Sequence, residues 1–138
     1  MTTNSSHPQT TMSLTAIRVA DLDRAVEFYV QGCGFVYEKD LTTSTFRATI
    51  VRAGAAGLEL VLPTDGAAGE TPDHGNMLVK IVTNTTDARA RMADACAHGG
   101  TEVTPPTRLE AYDMVIGIVR DPDGYLVEFV QRPDALEP

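Results

Sequence analysis

The sequence predicts a single α+β domain in which one β-α-β-β-β unit occurs twice. Three observations carry this prediction. In each half, a strand-like apolar run is followed by a segment of helical period and then by three more strand-like runs. The two halves align without a gap across their first strand and helix. A polar stretch at residues 64–75, which contains Gly, Pro and Asp, separates them as a linker. Module one is therefore residues 13–63, and module two is residues 76–132.

Module one begins with a predicted strand at residues 14–19. Asp21 follows at an N-cap position, where its carboxylate can accept a backbone N–H of the next helix. Apolar residues then recur at helical spacing until Gly32 and Gly34 end the helix. Three strands complete the module: 34–41, 45–53 and 57–63.

Module two repeats this order. Its first strand is predicted at residues 77–81, and its helix begins after Asp87 and ends at Gly99. Asp87 lies 66 positions after Asp21 (87 − 21 = 66), which sets the overlay of the two halves. The later strands are predicted near residues 101–104, 112–119 and 125–130. A loop at residues 105–113, which contains two prolines, is predicted between the first two of these strands.

Composition restricts the partners and the compartment. The chain has 138 residues, of which 43% are hydrophobic, enough for one proper core. Its net charge of −8 repels phosphate backbones and anionic lipid, so neither nucleic acid nor membrane is an expected partner. Residues 1–12 lack the pattern of a secretion signal and are predicted to be a tail, as are residues 133–138. With two cysteines and no membrane-spanning run, the sequence predicts a cytoplasmic protein.

Two motifs point to a known family. The first is Val-Ala-Asp-Leu-Asp-Arg-Ala at residues 19–25, which runs into Phe28-Tyr29 and then Gly34-Phe35. The second is Asp-Pro-Asp-Gly-Tyr at residues 121–125. Over residues 13–132 the chain resembles the glyoxalase, bleomycin-resistance and dioxygenase superfamily, the vicinal oxygen chelate group. The resemblance implies a curved open mixed sheet around a cleft for a small molecule, and commonly a homodimer.

The resemblance also implies a divalent metal held by the first and last strands of each module. The matching last-strand positions are Glu59 and Glu128. The matching first-strand positions are Leu14 and, by the gap-free overlay, Lys80; a shorter register would place Asn76 there instead. Leucine has no lone pair for a metal, and a protonated lysine cannot coordinate one. We therefore expect no metal cofactor.

Strand alternation predicts that Lys80 points into the cleft. Three apolar side chains should pack under the helix from the opposite face of this strand: Met77, Val79 and Ile81. We hypothesise that the Lys80 ammonium takes the place of a metal between Glu59 and Glu128. The cluster is then either a structural ionic group or a catalytic one. In the catalytic case, one carboxylate is the general base on a carbon acid, and Lys80 stabilises the enolate oxygen.

Four further residues are predicted to bind the ligand: Leu14, Arg18, Asn76 and Tyr112. Arg18 can meet a carboxylate or phosphate, or form a surface ion pair. Tyr112 either covers the cleft or packs in the ordinary way. His74, in the linker, either reaches the cleft or stays solvated. His98 fits a helix C-terminus, where the helix dipole favours a cation.

Three functions remain open from the sequence. The first is a glyoxalase-like lyase or isomerase that acts on a small carbonyl compound without a metal. The second is a protein that binds and sequesters a small molecule such as an antibiotic, like the bleomycin-resistance members. The third is a metal-dependent lyase or dioxygenase, for which Glu59, Glu128 and His74 are the candidate ligands.

Overall fold

The computed structural model describes residues 8–65 and 69–133. Its regular elements follow the predicted order, β-α-β-β-β in each module. Residues 8–12 of the predicted N-terminal tail are exposed and carry no regular structure. Residues 1–7, most of the predicted C-terminal tail and residues 66–68 of the linker lie outside the described residues.

Module one has all its strands within two residues of their predicted bounds. Its elements are β1 (Leu14–Arg18), α1 (Leu22–Glu27), β2 (Val36–Thr42), β3 (Phe46–Ala53) and β4 (Ala56–Pro63). The Asp21 carboxylate accepts the Arg24 N–H at 3.0 Å, which confirms the predicted cap. A π-helical turn, Phe28–Gly32, extends α1, and Gly34 leaves it with a φ of 82°.

Module two differs from the prediction at its first strand. Its elements are β5 (Lys80–Asn84), α2 (Ala88–Ala97), β6 (Thr101–Leu109), β7 (Met114–Arg120) and β8 (Leu126–Gln131). The predicted strand at residues 77–81 starts three residues too early. Met77 belongs to a turn, in which its N–H donates to the carbonyl of His74 at 2.7 Å, and its side chain is exposed. Pairing with β8 starts at Lys80, because that residue is the first to lie opposite Leu126.

The predicted loop around Pro105-Pro106 is wrong, because both prolines lie inside β6. The sheet order is β5-β8-β7-β6, so β6 is an edge strand that pairs with β7 alone. Its register shifts between Thr104 and Thr107, so the two prolines fall at an irregularity that needs no N–H for the ladder.

The two sheets have the same internal arrangement. The order β1-β4-β3-β2 in sheet one matches β5-β8-β7-β6 in sheet two. In the first parallel pair Leu14 lies opposite Gly57, and in the second Lys80 lies opposite Leu126. These registers confirm the gap-free overlay, because Leu14 and Lys80 occupy equivalent places.

Both sheets pack their helix-bearing face into one core. Leu58 and Leu60 of sheet one and Val127 and Phe129 of sheet two belong to the same buried cluster as the helix residues. The two helical segments cross closely at Gly32, where a Cβ would lie 3.1 Å from the Cα of Ala95. The opposite, open face of each sheet therefore points away from the shared core.

Residues 121–125, which we call the inter-module turn, fasten module two to the start of α1. Asp123 Oδ1 accepts the Ala20 N–H at 2.8 Å and lies 3.2 Å from Arg24 Nη2. The Tyr29 hydroxyl donates to Asp121 at 2.6 Å, and the Tyr125 hydroxyl donates to the Arg18 carbonyl at 2.8 Å. Through these contacts the inter-module turn is bonded to four residues of module one: Arg18, Ala20, Arg24 and Tyr29.

Burial controls the ionisation of this turn. Burial raises the pKa of the Asp121 carboxyl, although three hydrogen bonds to the carboxylate oppose the change. Burial, and then the charge of Asp121, raise the pKa of Tyr29 well above its ordinary value. The hydrogen bond between Tyr29 and Asp121 is therefore a buried contact that holds the two modules together.

Within the described part of the chain, no helix is long and apolar enough to cross a membrane.

Candidate functional site

An ion pair on the open face of sheet two forms the centre of the candidate site. Lys80 Nζ lies 2.9 Å from Glu128 Oε1, and the two side chains are 37% and 14% exposed. Val79 and Ile81 pack against the core, so Lys80 projects from the opposite face, as strand alternation predicts. Val82, two residues further along β5, is exposed on the same face as Lys80.

Glu59 lies on the open face of sheet one, between Ala16 of β1 and Ile50 of β3. Among the described residues, it forms no ion pair with Lys80, whose partner is Glu128. Both sheets contribute their helix-bearing face to the shared core, and the open face of each sheet is the one turned away from it. Within one chain, the structure thus brings together two of the three predicted catalytic residues.

The metal-ligand positions that the family resemblance implies do not fit a divalent ion here. Leu14, opposite Gly57 on β1, offers no donor atom. Lys80 occupies the equivalent place in module two, and its ammonium is bonded to Glu128, so it cannot donate a lone pair. Across residues 8–65 and 69–133, no three His, Cys, Asp or Glu side chains converge as a metal site would require.

His74 lies at the inter-module turn and does not join Glu59 and Glu128. Its Nε2 is 2.8 Å from the carbonyl oxygen of Asp123, and its ring packs edge-on against Tyr125 with centroids 4.6 Å apart. Gly124 permits this approach, because a Cβ there would lie 3.0 Å from His74 Nε2. The linker histidine is therefore held by a contact that no local pattern in the sequence predicts.

The other predicted ligand-binding residues are dispersed. Arg18 lines a cleft of about 400 Å³ together with His74 and Tyr125, at the end of β1. Tyr112 is 71% exposed and ends a short 3₁₀ turn (Glu110–Tyr112), and Asn76 is exposed in the segment before β5. Neither Lys80 nor Glu128 is among the described residues that line the cleft beside Arg18. His98, by contrast, is the C-cap of α2, as predicted, and its Nδ1 lies 3.2 Å from Glu27 Oε2.

The fold and these positions agree with a comparison to known families. The model of the Glyoxalase/Bleomycin resistance protein/Dioxygenase superfamily matches residues 11–129. The chain belongs to this superfamily. The match spans both modules, so membership rests on the whole repeat and not on the inter-module turn alone.

Several relatives within the superfamily carry the name lactoylglutathione lyase. The probable lactoylglutathione lyase of Synechocystis sp. is 30% identical over 120 residues, which are 85% of this chain and 92% of the relative. The lactoylglutathione lyase of Neisseria meningitidis serogroup A is 31% identical over 121 residues, which are 86% of this chain and 88% of the relative. An Arabidopsis thaliana lactoylglutathione lyase is 28% identical over 124 residues.

Solved structures share the fold. Glyoxalase I from Zea mays superposes with a TM-score of 0.77 at 23% identity, covering 88% of this chain and 44% of the maize chain. TnmS3, an antibiotic binding protein from Streptomyces sp., superposes with a TM-score of 0.69 at 20% identity, covering 91% of this chain and 98% of TnmS3. This chain likewise spans 44% of the Arabidopsis relative. It therefore corresponds to less than half the length of each of these two plant proteins.

Proposed function

We propose that this glyoxalase-like protein is a lyase or isomerase that acts on a small carbonyl compound by acid/base chemistry without a metal. The observation that carries the proposal is the Lys80–Glu128 ion pair, 2.9 Å long, on the open face of sheet two. It stands where the family resemblance implies metal ligands, and Leu14 stands at the equivalent place in sheet one. The names of the relatives support the reaction class.

The pair can divide the reaction between a base and an electrophile. The Glu128 carboxylate takes a proton from the carbon next to the substrate carbonyl, and the electron pair moves to the carbonyl oxygen. The Lys80 ammonium donates a hydrogen bond to that oxygen and stabilises its charge. In an α-hydroxycarbonyl substrate, the hydroxyl on the deprotonated carbon passes its proton to this oxygen, and the carbonyl reforms at that carbon. Glu128 then returns its proton to the former carbonyl carbon, which completes the isomerisation and restores the Glu128 carboxylate. A positioned general base contributes about 100- to 10,000-fold in rate.

We propose further that the protein is a homodimer in which sheet one of one copy covers sheet two of the other. The open faces carry apolar side chains beside the charged ones, including Val82, which is exposed in the single chain. An apolar sheet face exposed to water favours association. Glu59 of one copy would then face the Lys80–Glu128 pair of a second copy and supply the missing carboxylate. A cleft for a small molecule would lie between the two faces.

The first test combines elemental analysis with turnover. The purified protein is assayed for formation of lactoylglutathione, after which its relatives are named, and against a panel of small carbonyl compounds. We expect turnover that persists after treatment with EDTA, and a Lys80→Met variant at least about 100-fold slower. Arg89→Met, which removes an exposed cation on α2, is the matched control and should leave the rate unchanged.

Two results would overturn the metal-independent proposal. One is stoichiometric Ni, Zn, Fe or Mn in the active protein, with loss of turnover on chelation. The other is full turnover by Lys80→Met that has a wild-type circular dichroism spectrum.

A second candidate is a binding protein that sequesters a small molecule without converting it. The observation that favours it is that the Lys80–Glu128 pair is already satisfied within one chain, as a purely structural ion pair would be. The two candidates differ in one measurement. A binding protein gives a saturable thermal shift with its ligand and no product at any enzyme concentration, whereas the enzyme gives product in proportion to its concentration.

A further inference from the structure

A cavity of about 730 Å³ lies between the modules, along β5 and beside the β3–β4 turn. Its described lining includes two cations, Lys80 and Arg91, and no Asp or Glu. The chain as a whole is acidic, with 19 acidic and 11 basic residues. The described lining of this cavity has the opposite charge, because it contains two cations and no acid. Phe35 and Phe129 contribute apolar surface to the same wall. The lining therefore suits a ligand that has an anionic group and an aromatic body.

The internal repeat explains why a cavity lies here. In the parallel pairs, Leu14 corresponds to Lys80 and Gly57 to Leu126. The same overlay gives two further correspondences, Asn84 for Arg18 and Thr86 for Ala20. In module one, Arg18 and Ala20 both form hydrogen bonds with the inter-module turn. The Arg18 carbonyl accepts a hydrogen bond from the Tyr125 hydroxyl, and the Ala20 N–H donates to Asp123.

The β3–β4 turn of module one provides no such groups. Its closing pair is Ala53 and Ala56, which corresponds to Asp121 and Tyr125 in module two. A tyrosine is thus replaced by Ala56, and the residues between are Gly54 and another alanine. All three of Ala53, Gly54 and Ala56 line the cavity. The space corresponds to the volume that a phenol and a carboxylate fill at the other end of the molecule.

Arg91 supplies the charge on this wall. Its Nη1 lies 3.4 Å from the Gly32 carbonyl and 3.4 Å from Asp94 Oδ2, with which it forms an ion pair. Within residues 8–65 and 69–133, no hydrogen bond uses its Nε or Nη2, so these donors can meet a ligand. The guanidinium lies close over the backbone of Gly34, where a Cβ would be 3.0 Å from Arg91 Cζ. An arginine fork of this kind recognises a carboxylate through two parallel hydrogen bonds.

We propose that this cavity is a second ligand site, which binds a small aromatic carboxylate that carries a hydroxyl group. The carboxylate pairs with Arg91 and replaces the acid of the inter-module turn. The ring lies in the space beside Ala56 against Phe35, and the hydroxyl donates to the carbonyl of Asn84, as Tyr125 does to Arg18 in module one. The cavity is bordered by Lys80, which also pairs with Glu128, but the proposed contacts of the ligand are with Arg91, Phe35 and Asn84.

The test measures binding of 4-hydroxybenzoate to the full-length protein by isothermal titration calorimetry. We expect saturable binding that falls at least about tenfold in Arg91→Gln, because a charge-assisted hydrogen bond is lost. Arg89→Gln, an exposed cation on the same helix, is the matched control and should bind as the wild type does. The uncharged analogue 4-hydroxybenzamide should bind at least about tenfold more weakly than the acid.

A second variant tests the position of the ring. Ala56→Tyr places a phenol in the cavity, as Tyr125 does in the other module, and should abolish binding while the melting temperature stays the same or rises. Absence of 4-hydroxybenzoate binding to the wild type would overturn the proposal. So would equal weakening by Arg91→Gln and Arg89→Gln, or undiminished binding by a folded Ala56→Tyr. If Ala56→Tyr does not fold, the comparison of the two arginine variants decides alone.

Discussion

Lys80 shows how one side chain can change the chemistry that a family position supports. At the equivalent place of the other sheet the residue is Leu14, and neither side chain can donate a lone pair. Because Lys80 reaches Glu128 at 2.9 Å, a positive charge still stands beside the carboxylate. The charge arrangement around Glu128 thus resembles that of a cation site, but the cation is part of the chain.

A second single residue, the buried Tyr29, leads us to expect that the protein loses stability at alkaline pH. Its hydroxyl is buried and donates to Asp121, and burial raises its folded-state pKa above the ordinary value of about 10. Above pH 10 the unfolded chain releases this proton and the folded chain keeps it, so stability falls as pH rises. The expected slope approaches about 1.4 kcal/mol per pH unit for this one group.

Tyr29→Phe tests this prediction by urea unfolding at pH 7, 10 and 11. At pH 7 the variant should be about 1 kcal/mol less stable, since it loses one hydrogen bond to Asp121. Its loss of stability between pH 10 and 11 should be smaller than that of the wild type. Identical alkaline slopes in both proteins would show that Tyr29 does not hold its proton in the folded state. Tyr125, whose pKa is also raised by burial, remains in both proteins and cancels in the comparison.

The helices illustrate what a short local signal can determine. Asp21 and Asp87 each stand before a helix, and each carboxylate accepts a backbone N–H three residues later at 3.0 Å. These bonds depend on the neighbouring chain alone, so the sequence predicts them reliably. The helical segment also ends at Gly32, as predicted, but the sequence does not predict that its last turn, Phe28–Gly32, is π-helical.

Substitution of Asp87, the N-cap of α2, measures how much its hydrogen bond to the Ala90 N–H stabilises the protein. Asp87→Ala removes the acceptor for the Ala90 N–H and should lower the free energy of unfolding by about 1 kcal/mol. Asp87→Asn retains a side-chain oxygen at the same place and should cost only a few tenths of that amount. Urea unfolding at pH 7 measures both. Equal destabilisation by the two variants would mean that the charge, and not the hydrogen bond, is what stabilises α2.

Two strands of module two show where local patterns fail. Residues 77–79 have strand-like composition, but a turn closed by His74 and Met77 precedes the strand, and β5 begins where β8 is available for pairing. Pro105-Pro106 looks like a loop in the sequence, yet an edge position lets β6 continue through both prolines. In the first case the deciding fact is β8, a strand far away along the chain, and in the second it is the position of β6 at the edge of the sheet.

At the scale of the whole molecule, Glu59 and its two predicted partners lie on different sheets, which share one core. Strand alternation correctly places Lys80 on the open face of sheet two, opposite the core-facing Ile81. It cannot tell in which direction that face points relative to sheet one. A homodimer, as proposed, restores the encounter between Glu59 and the Lys80–Glu128 pair.

Subunit mixing tests whether the site is shared between copies. Glu59→Gln and Lys80→Met are each expected to be at least about 100-fold slower than the wild type. If each site takes Glu59 from one copy and Lys80 from the other, a heterodimer of the two variants has one intact site. Refolding an equal mixture should then restore about a quarter of wild-type turnover, since about half of the dimers are mixed and half of their sites are intact.

The control is a protein that carries both substitutions in one chain, refolded with an equal amount of Glu59→Gln. None of its dimers has an intact shared site, so no turnover should return. If the first mixture recovers no turnover although light scattering shows that dimers have formed, the reaction takes place within one chain. A monomer at all concentrations would remove the proposed homodimer itself.

Local sequence patterns were enough to predict the repeat, the order of the elements, both helix caps and the face on which Lys80 lies. These features depend on period, on turn chemistry and on neighbours a few residues away, all of which are written locally in the chain. Local patterns could not predict that Lys80 pairs with Glu128 and, among the described residues, not with Glu59, or that His74 is held at the inter-module turn. Those outcomes depend on how two sheets share one core, because that packing sets distances between residues that no local pattern relates.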